Sequence, residues 1–278
     1  LWTHKVRAII AAVYYGFPSR KIKVIGVTGT NGKTTTCNII ANILEEAGYK
    51  VGLATTINFR IGQKEWANNY RMTTISPFLL QKLLKDMTTD GCQFAVIETT
   101  SHAIKQQRNW GVFYHIAVLT NITHEHLDYH KNFEDYRRTK MRLFDHVKYA
   151  VLNRDDDRSY KIFSSRINET KEISYGIINK SDIMARKILY EPQGTLFTLV
   201  APHGQVAVTL TLPGEFNVYN ALAAVATAEA IKIDLNIVKN ALEKMTTVAG
   251  RMEKILTPEG FLVIIDYAHT PDAFEKIY

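Results

Sequence analysis

Val24-Ile-Gly-Val-Thr-Gly-Thr-Asn-Gly-Lys33-Thr34-Thr35 decides the fold of this chain. Its first residues are apolar and β-branched, its middle is punctuated by glycine, and from Thr34 an apolar period runs on to Ala47 ahead of Gly48. That order reads as strand, loop and helix. Such a loop turns successive backbone N–H groups and a helix N-terminus toward an anion. Lys33 then reaches the β- and γ-phosphates of ATP or GTP, the Thr34 hydroxyl ligates Mg²⁺, and Gly29, Thr30, Asn31, Gly32 and Thr35 complete the cradle. The strict spacing of such loops wants glycine at position 27, where this chain has Val27 between Gly26 and Gly29. A tight strand-to-helix turn with a chance lysine is the plainer reading of the same residues.

Outward from the loop, apolar β-branched runs alternate with helical patterns, the rhythm of a mostly parallel sheet flanked by helices. Strands are expected at Lys23–Val27, Val51–Thr55, Phe94–Glu98, Ile116–Thr120 and Tyr149–Asn153, and helices at Thr34–Ala47, Pro77–Thr89, Phe133–Val147, Val218–Ile231 and Leu235–Met245. Between Ile173 and Leu212 the pattern turns to short alternating strands, a smaller β-rich subregion read as an insertion or a second sheet. Phe261–Ile265 reads as a further, buried strand.

With 278 residues, 46% apolar and 22% charged, the chain has enough material for a sizeable core, and disorder, collagen and repeat arrays are excluded. A surplus of 34 Lys and Arg over 27 Asp and Glu favours anionic partners, while the lack of a basic block interleaved with aromatics speaks against nucleic acid. Two cysteines, Cys37 and Cys92, fit a reducing compartment, with the cytoplasm as the default. The apolar run within Lys5–Phe17 is too short to span a bilayer; it reads as an amphipathic helix packed on the domain, with a membrane-surface anchor as the lesser alternative. A monomer is expected.

Several polar residues stand where ligands collect in open α/β sheets, at the carboxyl ends of strands. Glu98, ending the third strand, reads either as a charge near a helix start or as a carboxylate holding Mg²⁺. After the fourth strand, His124-Glu-His126-Leu-Asp128-Tyr-His130 is dense in imidazoles and carboxylates. Its rival reading is a zinc hydrolase with an H-x-H-x-D-H signature, but Tyr129 breaks that spacing. Lys140, on the next helix, is on composition alone a solvated side chain. Thr73 and Thr74 precede a helix and read as caps or contacts, and Asn217 reads as the N-cap of the Ala-rich helix.

The run Thr28-Gly-Thr-Asn-Gly-Lys-Thr-Thr-Thr36 resembles the ATP loop of the Mur ligases and folylpolyglutamate synthetases, families that form amide bonds through an acyl phosphate. The His126-Leu-Asp-Tyr-His130 and Asp266-Tyr-Ala-His-Thr-Pro-Asp-Ala273 runs favour the tripeptide-forming branch of the Mur ligases. The resemblance spans about Pro18 to Ala273. It implies ATP and Mg²⁺ as cofactors, Glu98 and His126 as metal ligands, and Asn121 and Asp128 lining the same site. It further implies Lys140 as a carbamylated lysine and Thr73, Thr74, Thr100, Gln106 and Arg108 on a UDP-muramoyl-peptide. In the family's pattern Asn217 meets adenine, Arg251 senses phosphate and Asp266 lies near the ribose. Met72 departs from the asparagine usual before the Thr-Thr pair. The implied organisation is an N-terminal amphipathic segment over 1–20, an ATP-binding central domain over 21–255, and at 256–278 the start of the domain that selects the incoming amino acid. A chain ending there is expected to lack complete ligation on its own. A nucleotide-dependent binding module, which needs the loop but no acyl acceptor, is the alternative from another class.

Overall fold

The computed structural model describes residues 2–70, 73–123, 129–167, 169–191, 194–245, 248–257, 261–268 and 274. In order these form α1 (Trp2–Tyr14), β1 (Lys23–Thr28), α2 (Lys33–Glu46), β2 (Val51–Ala54), β3 (Asn58–Ile61), β4 (Lys64–Ala67), α3 (Pro77–Thr89), β5 (Phe94–Glu98), α4 (Ser101–Lys105), β6 (Tyr114–Leu119) and α5 (Phe133–Met141). There follow β7 (Tyr149–Asn153), α6 (Asp157–Ser164), β8 (Lys171–Gly176), β9 (Ile183–Glu191), β10 (Gly194–Ala201), β11 (Gly204–Leu210), α7 (Glu215–Ile231), α8 (Leu235–Glu243), β12 (Glu253–Leu256) and β13 (Leu262–Ile265).

Eleven strands form one sheet in the order β11-β10-β9-β8-β7-β6-β1-β5-β2-β3-β4. The run from β2 through β5, β1, β6, β7 and β8 to β9 is parallel, and the antiparallel pairs lie at the two edges. The β-rich stretch after Ile173 is present but builds no second sheet: β8 pairs in parallel with β7 and so lengthens the first one. The physical cause is edge satisfaction, because β7 would otherwise present unpaired backbone groups to solvent.

Val24, Ile25 and Val27 of β1 are fully buried, as are Val96 of β5 and Val118 of β6, the near-continuous apolar pattern of strands covered on both faces. One face carries α2 and α7, whose Ile39, Ile40, Ala221, Leu222 and Val225 share a core with those strands. Helix α7 is Ala-rich and mostly buried along its length. Helix α1 tucks Ala8, Ala11 and Ala12 out of solvent, as an amphipathic packed helix should, and no described helix is long and apolar enough to cross a membrane.

Three local expectations change. The helix from Phe133 stops at Met141 and tightens into a 3₁₀ turn over Arg142–Phe144, after which His146 takes a left-handed φ of 66°. The N-cap of α7 is Gly214, so Asn217 lies inside the helix; its amide donates to the Pro213 carbonyl at 2.8 Å and its oxygen accepts from Asn220 at 3.1 Å. Strand β13 is not buried: Val263, Ile264 and Ile265 are each more than 40% exposed, because it pairs with β12 alone in a separate two-stranded sheet.

Candidate functional site

Val27, where a strict loop would have glycine, pairs with Glu98 and Val118 inside β1. The turn therefore starts only at Gly29, and the missing glycine has no conformational consequence. Gly29 (φ 152°) and Gly32 (φ 81°) do need to be glycine: a Cβ would stand 1.8 Å from the Thr120 hydroxyl at the first and 2.1 Å from Asn220 Oδ1 at the second. Gly32→Ala is expected to lower stability by about 1–2 kcal/mol through its left-handed backbone alone, more with the collision, and to weaken nucleotide binding. Urea unfolding and calorimetry with ATP measure the two effects. In an Asn220→Ala background Gly32→Ala should cost less than in the parent, because the steric part is gone while the backbone part remains.

The loop is held from both sides. Thr30 N–H donates to the Asn121 carbonyl at 2.8 Å, Asn31 N–H to Asn121 Oδ1 at 3.0 Å, and the Thr120 hydroxyl to the Asn31 carbonyl at 2.7 Å. From α5, Tyr136 and Lys140 are one turn apart and share a face. The Tyr136 hydroxyl lies 3.1 Å from Thr30 Oγ1, and Lys140 Nζ donates to the Gly29 carbonyl at 2.7 Å while resting 4.5 Å above the Tyr136 ring. Lys140 is 1% exposed, which removes the solvated-side-chain reading.

Inside this frame the N-terminus of α2 has no side-chain cap. Its first N–H groups lack intrahelical partners and face the loop opening, which is what an anion requires. Lys33 Nζ folds back over the loop onto the Thr30 carbonyl at 2.6 Å. The Thr34 hydroxyl donates to Glu98 Oε2 at 2.9 Å, the same oxygen that accepts from Thr56 N–H at 2.9 Å. Thr34 and Glu98 are buried, and Thr35 behind them likewise. Two buried hard oxygens this close suit a hard cation such as Mg²⁺. Burial first, and then the Glu98 charge, push the Cys37 thiol well above its usual range, so that cysteine is inert packing. Arg251 approaches from the far end of the chain, its guanidinium 3.4 Å from Thr34 Oγ1 and 5.1 Å above the Tyr267 ring. Asp266 accepts from the N–H groups of Met252 and Ala268, which fixes the turn carrying Arg251.

The residues expected at a peptide substrate gather beyond β5. Thr74 Oγ1 and Thr100 Oγ1 are 3.0 Å apart, Thr100 caps α4 through Ala103 N–H, Arg108 donates to the Thr74 carbonyl at 2.6 Å, and Gln106 donates to the Tyr129 hydroxyl at 3.1 Å. Thr73 stands half-buried beside them. The cap of α3 is Ser76, not either threonine. Burial lowers the Arg108 pKa. His124, His126, Asp128 and His269–Ala273 lie outside the described residues, as does Met72. His130 is buried, with Nε2 3.0 Å from Ser101 Oγ and Nδ1 3.5 Å from Asp135.

Burial first, and next the Lys105 charge, lower the His130 pKa below the ordinary 6.5. The fold thus prefers the neutral ring, and as pH falls through about 6.5 the unfolded chain gains its proton first. Stability should drop from there down to the folded pKa. The urea midpoint measured from pH 7.5 to 5.5 is expected to fall, and to fall less in His130→Gln; an unchanged slope in that variant would remove His130 from the account.

Thr120, Tyr136 and Asn220 are parts of this site that residue patterns alone do not mark. The one usable signal is that Tyr136 precedes Lys140 by a helical turn. A model of the Mur ligase middle domain matches residues 27–228. The chain belongs to the Mur ligase family. It is 42% identical over 99% of its length to the UDP-N-acetylmuramoyl-L-alanyl-D-glutamate--2,6-diaminopimelate ligase of Geobacillus thermodenitrificans, and 40% identical over 98% to the UDP-N-acetylmuramyl-tripeptide synthetase of Roseiflexus sp.. It covers 57% and 56% of those proteins, so the chain spans little more than half the length of the curated relatives it matches. A solved structure of a UDP-N-acetylmuramoyl-L-alanyl-D-glutamate--2,6-diaminopimelate ligase superposes with a TM-score of 0.84 at 32% identity, over 98% of this chain and 57% of that one. A folylpolyglutamate synthase of Mycobacterium tuberculosis superposes at 0.79 with 19% identity, over 98% of this chain and 69% of that one, which shows a shared fold alone. The mostly parallel sheet with its loop between β1 and α2 is thus the Mur ligase middle-domain fold.

Proposed function

We propose that this chain is the ATP-binding centre of a ligase that extends UDP-N-acetylmuramoyl-dipeptide by one amino acid in peptidoglycan precursor synthesis. The observation that carries the reading is the gathering of Lys33, Thr34, Glu98 and Lys140 around the loop and the uncapped start of α2. A peptide carboxylate oxygen attacks the γ-phosphorus of ATP, the bond from that phosphorus to the β,γ-bridging oxygen breaks, and ADP leaves. The amine of the incoming amino acid then attacks the acyl carbon, phosphate departs, and the nitrogen loses its proton. Lys33 and the α2 N–H groups stabilise charge on the phosphoryl oxygens during the first step.

Thr34 and Glu98 hold Mg²⁺ in this reading, with His126 as a ligand of a second ion. Bound there, Mg²⁺ neutralises phosphate charge. Lys140 carries a carbamate. A carbamate keeps one N–H for the Gly29 carbonyl and adds two acceptor oxygens at the mouth of the loop, where an ammonium would repel cations. Asn217, Arg251 and Asp266 complete the nucleotide side. Thr73, Thr74, Thr100, Gln106 and Arg108 bind the muramoyl-peptide. The protein works on these small molecules as a cytoplasmic monomer, without nucleic acid or membrane contact.

Acyl-phosphate trapping tests the reading. Supplied with ATP, Mg²⁺ and UDP-N-acetylmuramoyl-dipeptide, the chain should yield a hydroxamate of that dipeptide when hydroxylamine is added, and none without ATP. Nucleotide binding with no hydroxamate would replace the ligase by a nucleotide-dependent binding module.

A further inference from the structure

Arg138, in the last turn of α5, Arg142, in the 3₁₀ turn that follows it, and Arg166, from the turn after α6, line an open groove of about 880 Å³ that includes neither Tyr136 nor Lys140. The three arginines are exposed, and so are Asp145 and Glu169, which line the same groove. None of these five side chains has a hydrogen bond or an ion pair with a described residue. Phe144 and Ile167 lie buried beneath this charged rim, and the surface the groove presents is mostly polar. A helix C-terminus by itself favours Arg138 and Arg142, but it does not account for Arg166, which comes from another element and joins them across the groove.

We infer that this groove is a binding site for a hydroxyl-bearing phosphate ester. Unpaired guanidinium groups from two elements present forked donors that match phosphate oxygens. Asp145 and Glu169 can only accept, so they match the hydroxyls of a sugar- or glycerol-phosphate and exclude a bare polyanion. Soluble esters and the headgroups of anionic lipids share this chemistry. The site includes neither Tyr136 nor Lys140 and is independent of the ligase reading.

The experiment uses Lys33→Ala protein, so that the phosphate loop does not compete. Titration with glycerol 3-phosphate by NMR, and sedimentation with phosphatidylglycerol against phosphatidylcholine vesicles, separate the two sources. At least one probe should bind, more tightly than inorganic phosphate, and Arg142→Ala/Arg166→Ala should weaken it at least tenfold. In an otherwise wild-type chain, the same double variant should retain ATP affinity, which shows that the fold and the nucleotide site are intact. Binding of the soluble ester assigns the site to a metabolite, and binding of phosphatidylglycerol vesicles alone assigns it to a lipid headgroup. Absence of binding by both probes up to about 10 mM, equal binding of inorganic phosphate, or full affinity in the double variant would overturn the assignment.

Discussion

Lys33→Ala is expected to lower affinity for ATP with Mg²⁺ by about 10²-fold and to abolish hydroxamate formation, read by calorimetry and by trapping. Its Nζ rests on the Thr30 carbonyl of the loop, at the start of α2 where the phosphates would lie. Removing a charged donor from a largely desolvated anion site costs 2–5 kcal/mol, and this converts to tens- to thousands-fold in affinity. Lys33 is only half-buried and is not part of the apolar core, so the circular dichroism and urea midpoint should stay near those of the parent. Unchanged nucleotide affinity in a folded variant would remove the phosphate-loop assignment and, with it, the proposed chemistry.

Lys140→Arg is expected to keep ATP affinity within about threefold while acyl-phosphate formation falls at least 10²-fold. Arginine preserves the cation and the reach toward the Gly29 carbonyl, but a guanidinium does not deprotonate to add CO₂. Because Lys140 is 1% exposed, the bulkier side chain strains its surroundings, and a second measurement keeps the test clean. In the parent protein, stripping CO₂ and bicarbonate should slow hydroxamate formation reversibly, with full recovery on returning bicarbonate. A fully active Arg variant, or a parent rate indifferent to CO₂, would sink the carbamate.

The two variants separate what the loop does from what α5 does. Lys33 belongs to a device encoded in a dozen consecutive residues. Lys140 belongs to the same device only because α5 lies across the loop, 111 positions further along the chain. Hydroxamate in the parent, binding with no trapped intermediate in Lys140→Arg, and neither in Lys33→Ala is the pattern expected of a ligase; a binding module would lose nucleotide in Lys33→Ala as well, but even its parent would trap nothing.

Residues close in sequence determined the phosphate loop, the helix behind it and the placement of Glu98 at a strand end. Each rests on a local requirement: glycine where φ is positive, an uncapped helix start after it, and a polar residue where a buried strand meets solvent. The Schellman-type close of α2, with Gly48 and Tyr49 N–H groups donating to the Glu45 and Leu44 carbonyls, was legible for the same reason. Tertiary structure alone decided the rest. Asn217 looks like a cap in sequence, yet Gly214 begins the helix and Asn217 instead supports Asn220, whose Oδ1 fills the space a Gly32 side chain would take. The strands after Ile173 have the pattern of an insertion or a second sheet, but an unpaired β7 edge drew them into the first. Lys140 carries no local mark of burial; the sheet order brings α5 against the loop, and the Tyr136 and Lys140 side chains then meet Thr30 and Gly29. Local backbone preferences act over a few residues, whereas which helix covers which loop depends on strand order, and strand order is settled by burial summed over the whole sheet.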